Sequence, residues 1–136
     1  PKEIENMINI KKNNTLDFVF GSRYQKNSGS EDDTFITLIG NYIFTYLGKI
    51  FFNLPISDIL YTFVLGKTNQ ANKLNLIKKD FSFCVELPIK AIRNRMQMAS
   101  SSCYERKRIA GQKKVNAFKD GLIILIYMIK LFFKKS

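Results

Sequence analysis

The chain reads as an α/β fold, and three observations predict it. A short apolar run, Leu16-Asp17-Phe18-Val19-Phe20, ends at Gly21 and has the length and character of a buried strand. Stretches with helical spacing of apolar residues, at 34–53, 81–94 and 115–133, alternate with strand-like segments at 56–65 and 96–104. The 136 residues are 46% hydrophobic and 13% aromatic, apolar enough for a core and short enough for one domain. Two or three strands are few for a complete sheet, and no nucleotide-binding turn is visible. The chain therefore reads as the latter part of a larger sheet.

Each element has a local reason. Residues 1–9 suit a helix start: Pro1 fits the first helical position, Glu3 and Glu5 favour the amino end, and Ile4, Met7 and Ile8 share one face. Residues 11–15 are a polar turn, and 24–33 a polar loop around Ser28-Gly29-Ser30. Thr34 caps the next helix, which runs to Asn53. Phe35, Ile39, Tyr42, Ile43, Tyr46 and Ile50 keep helical spacing there, while Ile36, Phe44 and Phe52 fill the other faces. A helix apolar nearly all round is deeply buried or lies against lipid. It approaches the roughly 20 residues that span a bilayer, with Asn41, Lys49 and two glycines against spanning.

Leu54-Pro55 stops that helix. Residues 56–65 form a loop and strand carrying Asp58, and 68–79 a short helix. Residues 81–94 are helical, with Glu86 and Lys90 paired one turn apart and Pro88 confined to the first turn or kinking the helix. Residues 96–104 are a serine-rich strand and 105–114 a basic loop. Residues 115–133 form a last apolar helix, followed by Lys134-Lys135. No basic region followed by an apolar run opens the chain, so no signal-peptide pattern is visible.

Composition narrows the chemistry. With no histidine, the Ser-His-Asp and Cys-His machineries, HExxH metal sites and histidine proton switches are all excluded. Cys84 and Cys103 form no CxxC pair, which excludes a disulfide framework and a four-cysteine zinc site and points to a reducing compartment. The net charge of +11 is lopsided: from Lys90 onward there are 12 basic and 2 acidic residues. Such asymmetry predicts an anionic partner, whether a phosphate-bearing ligand, an acidic membrane or nucleic acid.

Three places look equipped for that partner. Gly21-Ser22-Arg23 follows the first strand directly, where ligands bind in open α/β sheets, and an arginine there can grip a phosphate with two donors. Asp58 sits among apolar residues and must be paired or functionally placed. Residues 106–114 put Arg106, Lys107, Arg108, Lys113 and Lys114 around Gly111, a loop able to close over an anion. No aromatic residue interleaves with these cations and no nucleic-acid-binding motif is present, so nucleic acid is not the expected partner. The apolar stretch 121–133, with Lys119, Lys130, Lys134 and Lys135 around it, suits an interfacial helix on an anionic membrane or packing into the core.

These segments share an order with a known family. Asp17-Phe18-Val19-Phe20-Gly21-Ser22-Arg23-Tyr24 comes first, then Ile39-Gly40-Asn41, then Ile56-Ser57-Asp58. Phe81-Ser82-Phe83-Cys84-Val85-Glu86-Leu87 follows, and the basic run 106–115 leads into Asn116-Ala117-Phe118-Lys119-Asp120-Gly121. The succession resembles the C-terminal half of a family 2 glycosyltransferase, of the branch that includes the dolichol-phosphate mannose synthases and other polyprenyl-phosphate sugar transferases.

The resemblance implies a partial GT-A sandwich over residues 1–114 and an apolar, lysine-flanked helix over 115–136. It implies inverting transfer of a sugar from a nucleotide-sugar to a lipid phosphate, on the cytoplasmic side and associated with the membrane. It also implies Mg²⁺ or Mn²⁺ held by a DxD motif in an N-terminal half that precedes Pro1, so that the chain alone is inactive and holds no metal. By the same resemblance Asp58 is the catalytic-side carboxylate, as base or orienter, and Arg23 and Ser22 bind phosphate. Glu86 lines the acceptor side, and Arg106, Arg108 and Lys114 belong to the closing loop. Thr37-Leu38 stands where relatives often carry another arginine, and Lys113 where a serine is usual. Two readings of other classes stand beside this one. One is a non-enzymatic basic module on acidic membranes or nucleic acid, and the other a small integral membrane protein using residues 35–54 and 121–133.

Overall fold

The structure, a computed structural model, describes residues 2–112 and 114–134. Pro1, Lys113 and Lys135, which carry parts of the expectations above, lie outside the described residues. The fold is mixed α/β. Helix α1 (Lys2–Asn13) is followed by β1 (Phe18–Ser22), the short β2 (Gly29–Ser30), the long α2 (Phe35–Phe52) and β3 (Val64–Gly66). Then come α3 (Thr68–Lys73), α4 (Phe83–Arg93), β4 (Met98–Ser102), β5 (Tyr104–Glu105) and α5 (Ala117–Phe133).

β1 is the centre of a three-stranded sheet ordered β3-β1-β4, antiparallel to β3 and parallel to β4. All five of its residues are buried, which explains why its sequence is a continuous apolar run and does not alternate. Phe18 and Phe20 point into the main core with Leu54, Ile56, Ile89 and Met98. Val19 points the other way, to a smaller cluster with Met7 of α1, Leu16 and Cys103. The layers are thus α1, the sheet, and then α2, α4 and α5. α5 packs on both α2 and α4.

Several boundaries differ from the sequence reading. β1 runs through Gly21 to Ser22, because a glycine is what the close packing there admits: a Cβ at 21 would meet Phe63 and Cys103 at 3.0 and 3.1 Å. The loop at 24–33 contains β2, paired in parallel with β5. The helix at 68–79 is only the six residues of α3. Pro88 lies beyond the first turn of α4. α2 has the expected start, with Thr34 and Thr37 forming a capping box, while α5 begins two residues later than the reading, where Asn116 accepts from Lys119 N–H.

Candidate functional site

β1 and β4 run parallel and end together, and there the chain gathers its polar residues. Ser22, the last residue of β1, is fully buried, and its Oγ accepts from the Tyr24 N–H at 3.2 Å and the Ser57 hydroxyl at 2.8 Å. The Ser57 N–H donates in turn to Ser100 Oγ of β4 at 3.0 Å. These bonds stitch the 54–58 loop to the strand ends and set Asp58 opposite Arg23.

The Arg23 guanidinium is enclosed. Its Nε donates to Asp58 Oδ2 at 2.8 Å and its Nη2 to Asp58 Oδ1 at 3.1 Å, a two-pronged pair, while the Arg23 N–H also reaches Oδ2 at 3.1 Å. Nη1 donates to Glu105 Oε2 at 3.1 Å and faces Asp33 at 3.7 Å. Tyr61 and Tyr24 stack on it, with centroids 4.6 and 5.3 Å from the guanidinium carbon. Burial works against its charge, but the bond to Asp58 and the charge of that carboxylate outweigh it and hold Arg23 firmly protonated. Tyr24 donates its hydroxyl to Asp33 and accepts from Asn41 Nδ2 at 3.1 Å, and burial followed by the Asp33 bond pushes its ionisation up.

Above this cluster opens a cavity of about 480 Å³ between α2, α5 and the 105–112 segment. Arg23, Glu105 and Arg108 line its polar end, and Ile43, Phe44 and Phe118 belong to its apolar walls. Arg108 has its Nη2 3.3 Å from Asp32 and its Nη1 donating to Gln112 O at 3.1 Å. The neighbouring Lys107 N–H and the Tyr104 hydroxyl both donate to Glu31, at 3.1 and 2.9 Å. These bonds hold the Glu31 carboxyl below its ordinary range.

The residues singled out from the sequence divide into two groups. Arg23 and Arg108 line this cavity, whereas Asp58, paired with Arg23, and Ser22 are fully buried and do not reach it. Arg106 and Lys114 are exposed on the segments beside it. Glu86 is elsewhere: fully buried in α4, it accepts from Ile77 and Lys78 N–H, from the Tyr127 hydroxyl at 3.0 Å and from Lys90 at 2.7 Å. It ties the 75–80 loop and α5 to α4. Glu105, Asp33, Tyr24 and Tyr61, which complete the enclosure of Arg23, were not among the residues expected. Their only signal is charge or aromaticity at positions far apart in the chain.

Among the described residues, no group of three or more Asp, Glu or Cys is placed to hold a metal ion. The carboxylates that do converge close on Arg23, whose guanidinium fills the place a cation would take. The site does not fit Mg²⁺ or Mn²⁺. Compared with known proteins, the chain matches no family model, no curated protein and no solved structure.

Proposed function

We propose that this chain forms the acceptor side of a GT-A glycosyltransferase of the family 2 type. It would move a sugar from a nucleotide-sugar to a polyprenyl or dolichyl phosphate at a cytoplasmic membrane surface. In this reading it works with a nucleotide- and metal-binding half and is inert without it. One observation carries the reading: a cavity at the carboxyl ends of parallel strands has a charged end and apolar walls, the two characters of an acceptor with a phosphate head and a prenyl tail.

The chemistry divides between the residues accordingly. A lipid phosphate is already ionised near neutral pH, so its oxygen needs no base to attack the anomeric carbon. As that C–O bond forms, the bond to the nucleoside diphosphate breaks and the diphosphate leaves with the electron pair. Asp58 has both oxygens on Arg23 and is suited to orienting it, not to taking a proton. Arg108, which lines the cavity beside Asp32 and Glu105, would hold the phosphate together with Arg106 and Lys114, exposed on the neighbouring segments. Mg²⁺ or Mn²⁺, which the resemblance calls for, belongs to the other half.

The test is a transfer assay with nucleotide-sugar, polyprenyl phosphate and Mn²⁺, using the chain with and without a family 2 N-terminal half. Transfer only by the joined halves supports the reading. Transfer by the chain alone refutes the division of labour, and none by the joined halves refutes the reaction.

A further inference from the structure

α2 is built the wrong way round for water. Its buried positions are Asn41, Phe44, Thr45 and Gly48, a stripe with helical spacing in which three of the four residues are polar or small. Its large apolar residues face outward: Phe35, Tyr42, Tyr46 and Ile50 are each more than half exposed. α5 lies beside it and runs the same way, since Phe44, midway along α2, borders Gly121 in the early part of α5, and further on Phe51 meets Phe132, at 5.5 Å. α5 buries Ile124, Met128 and Leu131 and exposes an equal number of large apolar side chains to those of α2. Together the two helices hold sixteen of the twenty-two exposed large hydrophobics among the described residues, and Phe51, Leu125, Ile129 and Phe132 line one groove where the two sets adjoin. Proteins free in water seldom expose a contiguous apolar patch beyond a few hundred Å².

The surroundings of the face indicate what covers it. The only charged residues on the two helices are Lys49, Lys119, Asp120 and Lys130, and all three lysines are exposed. At one end, Ile109 stands wholly exposed among Arg106, Lys107 and Arg108. Apolar side chains with a basic fringe complement the interface of an anionic bilayer. α2 has the length and apolar character of a membrane span, but it is fastened to the rest of the fold, which favours lying in the interface over crossing it. Thr34 caps its start, Asn53 in the left-handed conformation closes its end, and Thr45 Oγ1 accepts from the Ile59 N–H at 3.2 Å along its length.

We propose that α2 and α5 lie side by side in the plane of an anionic membrane and seat the protein on it as a single platform. The platform does not depend on the transfer reading. If that reading also holds, Ile39, Ile43 and Phe118, which line the cavity as well as the exposed face, let a lipid enter sideways from the bilayer.

The test uses the full chain with phosphatidylcholine vesicles, with and without one third phosphatidylglycerol, and no sugar or nucleotide, so its outcome is separate from that of the transfer assay. Co-sedimentation with the anionic vesicles should fall roughly tenfold or more in the triple variant Tyr46→Ser/Ile50→Ser/Ile126→Ser, all exposed and outside the cavity. It should stay unchanged in Ile77→Ser, equally exposed on another part of the surface. Since the chain has no tryptophan, Tyr46→Trp provides a reporter that needs no loss of stability. Its emission should shift to the blue on vesicles and be quenched by lipids brominated close to the headgroup. The proposal is overturned by undiminished binding of the triple variant or by an unquenched reporter. It is equally overturned by retention after a carbonate wash, which means spanning, or by a dimer that the triple variant dissociates with no vesicle binding in the parent.

Discussion

Arg23 and Asp58, thirty-five residues apart in sequence, meet edge to edge with Nε 2.8 Å from one carboxylate oxygen and Nη2 3.1 Å from the other. Asp58 is fully buried and the Arg23 side chain is 9% exposed, so the pair is shielded from water and joins β1 to the loop after α2. Removing one partner leaves the other charge buried. Asp58→Ala is expected to lower stability by about 3–5 kcal/mol in urea unfolding. The double variant with Arg23→Met is expected to lose clearly less than the sum of the single losses. Arg23→Lys keeps the charge but not the fork, and should not restore the parent's stability.

Glu86 gives a prediction in pH. Burial opposes its ionisation, but the bonds from Lys90, the Lys78 and Ile77 N–H groups and the Tyr127 hydroxyl hold its carboxyl below the ordinary 4.5. A group with a lowered pKa in the folded state contributes stability that is complete above its unfolded value and is lost as pH falls through the folded one. Glu86→Gln should therefore cost about 2–3 kcal/mol at neutral pH. The gap between variant and parent should narrow only when unfolding is followed below pH 4.5. The same contact raises the Tyr127 hydroxyl to about 12, with burial the larger cause, so no phenolate signal is expected from it at pH 10.

Two glycines should respond in opposite directions to alanine. At Gly66 a Cβ would stand 2.3 Å from the Phe18 ring, which is itself buried in the core, and Gly66→Ala should destabilise by about 1–3 kcal/mol. At Gly40, inside α2, a Cβ meets nothing within 4 Å, and Gly40→Ala should stabilise by about 0.5–1 kcal/mol. Thermal unfolding of the two variants compares them directly.

Arg108 separates binding from folding. Its contacts are with Asp32 and the Gln112 carbonyl, and its side chain is 42% exposed, so Arg108→Ala should change stability by no more than about 0.5 kcal/mol. If the cavity takes a phosphate head, the same variant should weaken polyprenyl-phosphate binding roughly tenfold, measured by titration in detergent. Asp32→Asn removes a competing charge and should strengthen it. Equal binding by all three proteins would count against the phosphate reading.

The elements themselves were largely legible. The buried run at β1, the threonine cap of α2, the Glu86–Lys90 pair on α4 and the apolar run of α5 are local features. Local rules of spacing, capping and side-chain pairing are enough to find them. The short β2 and β5 were not legible as a pair, because two-residue strands leave no periodicity and take their definition from each other. The helical period of α2 was readable as well, but its orientation was not. A helix apolar on several faces does not say which face meets the fold, and here the stripe of Asn41, Phe44, Thr45 and Gly48 does.

The candidate site shows the same division. Arg23 and Asp58 were conspicuous, one following a strand and the other among apolar neighbours. Glu105, Asp33, Tyr24 and Tyr61 carry no mark in the sequence that would assign them to the same guanidinium. Glu86 stood out through its pair with Lys90 and the family resemblance, yet it ties a loop and α5 to α4, away from the cavity.

By itself the sequence determined the class of fold, the start of α2, the absence of histidine chemistry and the gathering of positive charge toward the end of the chain. Only the tertiary structure decided that Arg23 is enclosed by carboxylates and aromatic rings, that Glu86 serves packing, and that the exposed apolar residues of α2 and α5 adjoin along one groove. The reason is physical: spacing and capping act between residues a few positions apart, whereas ion pairing, burial and the facing of a helix depend on which distant segments the sheet brings within a few ångströms.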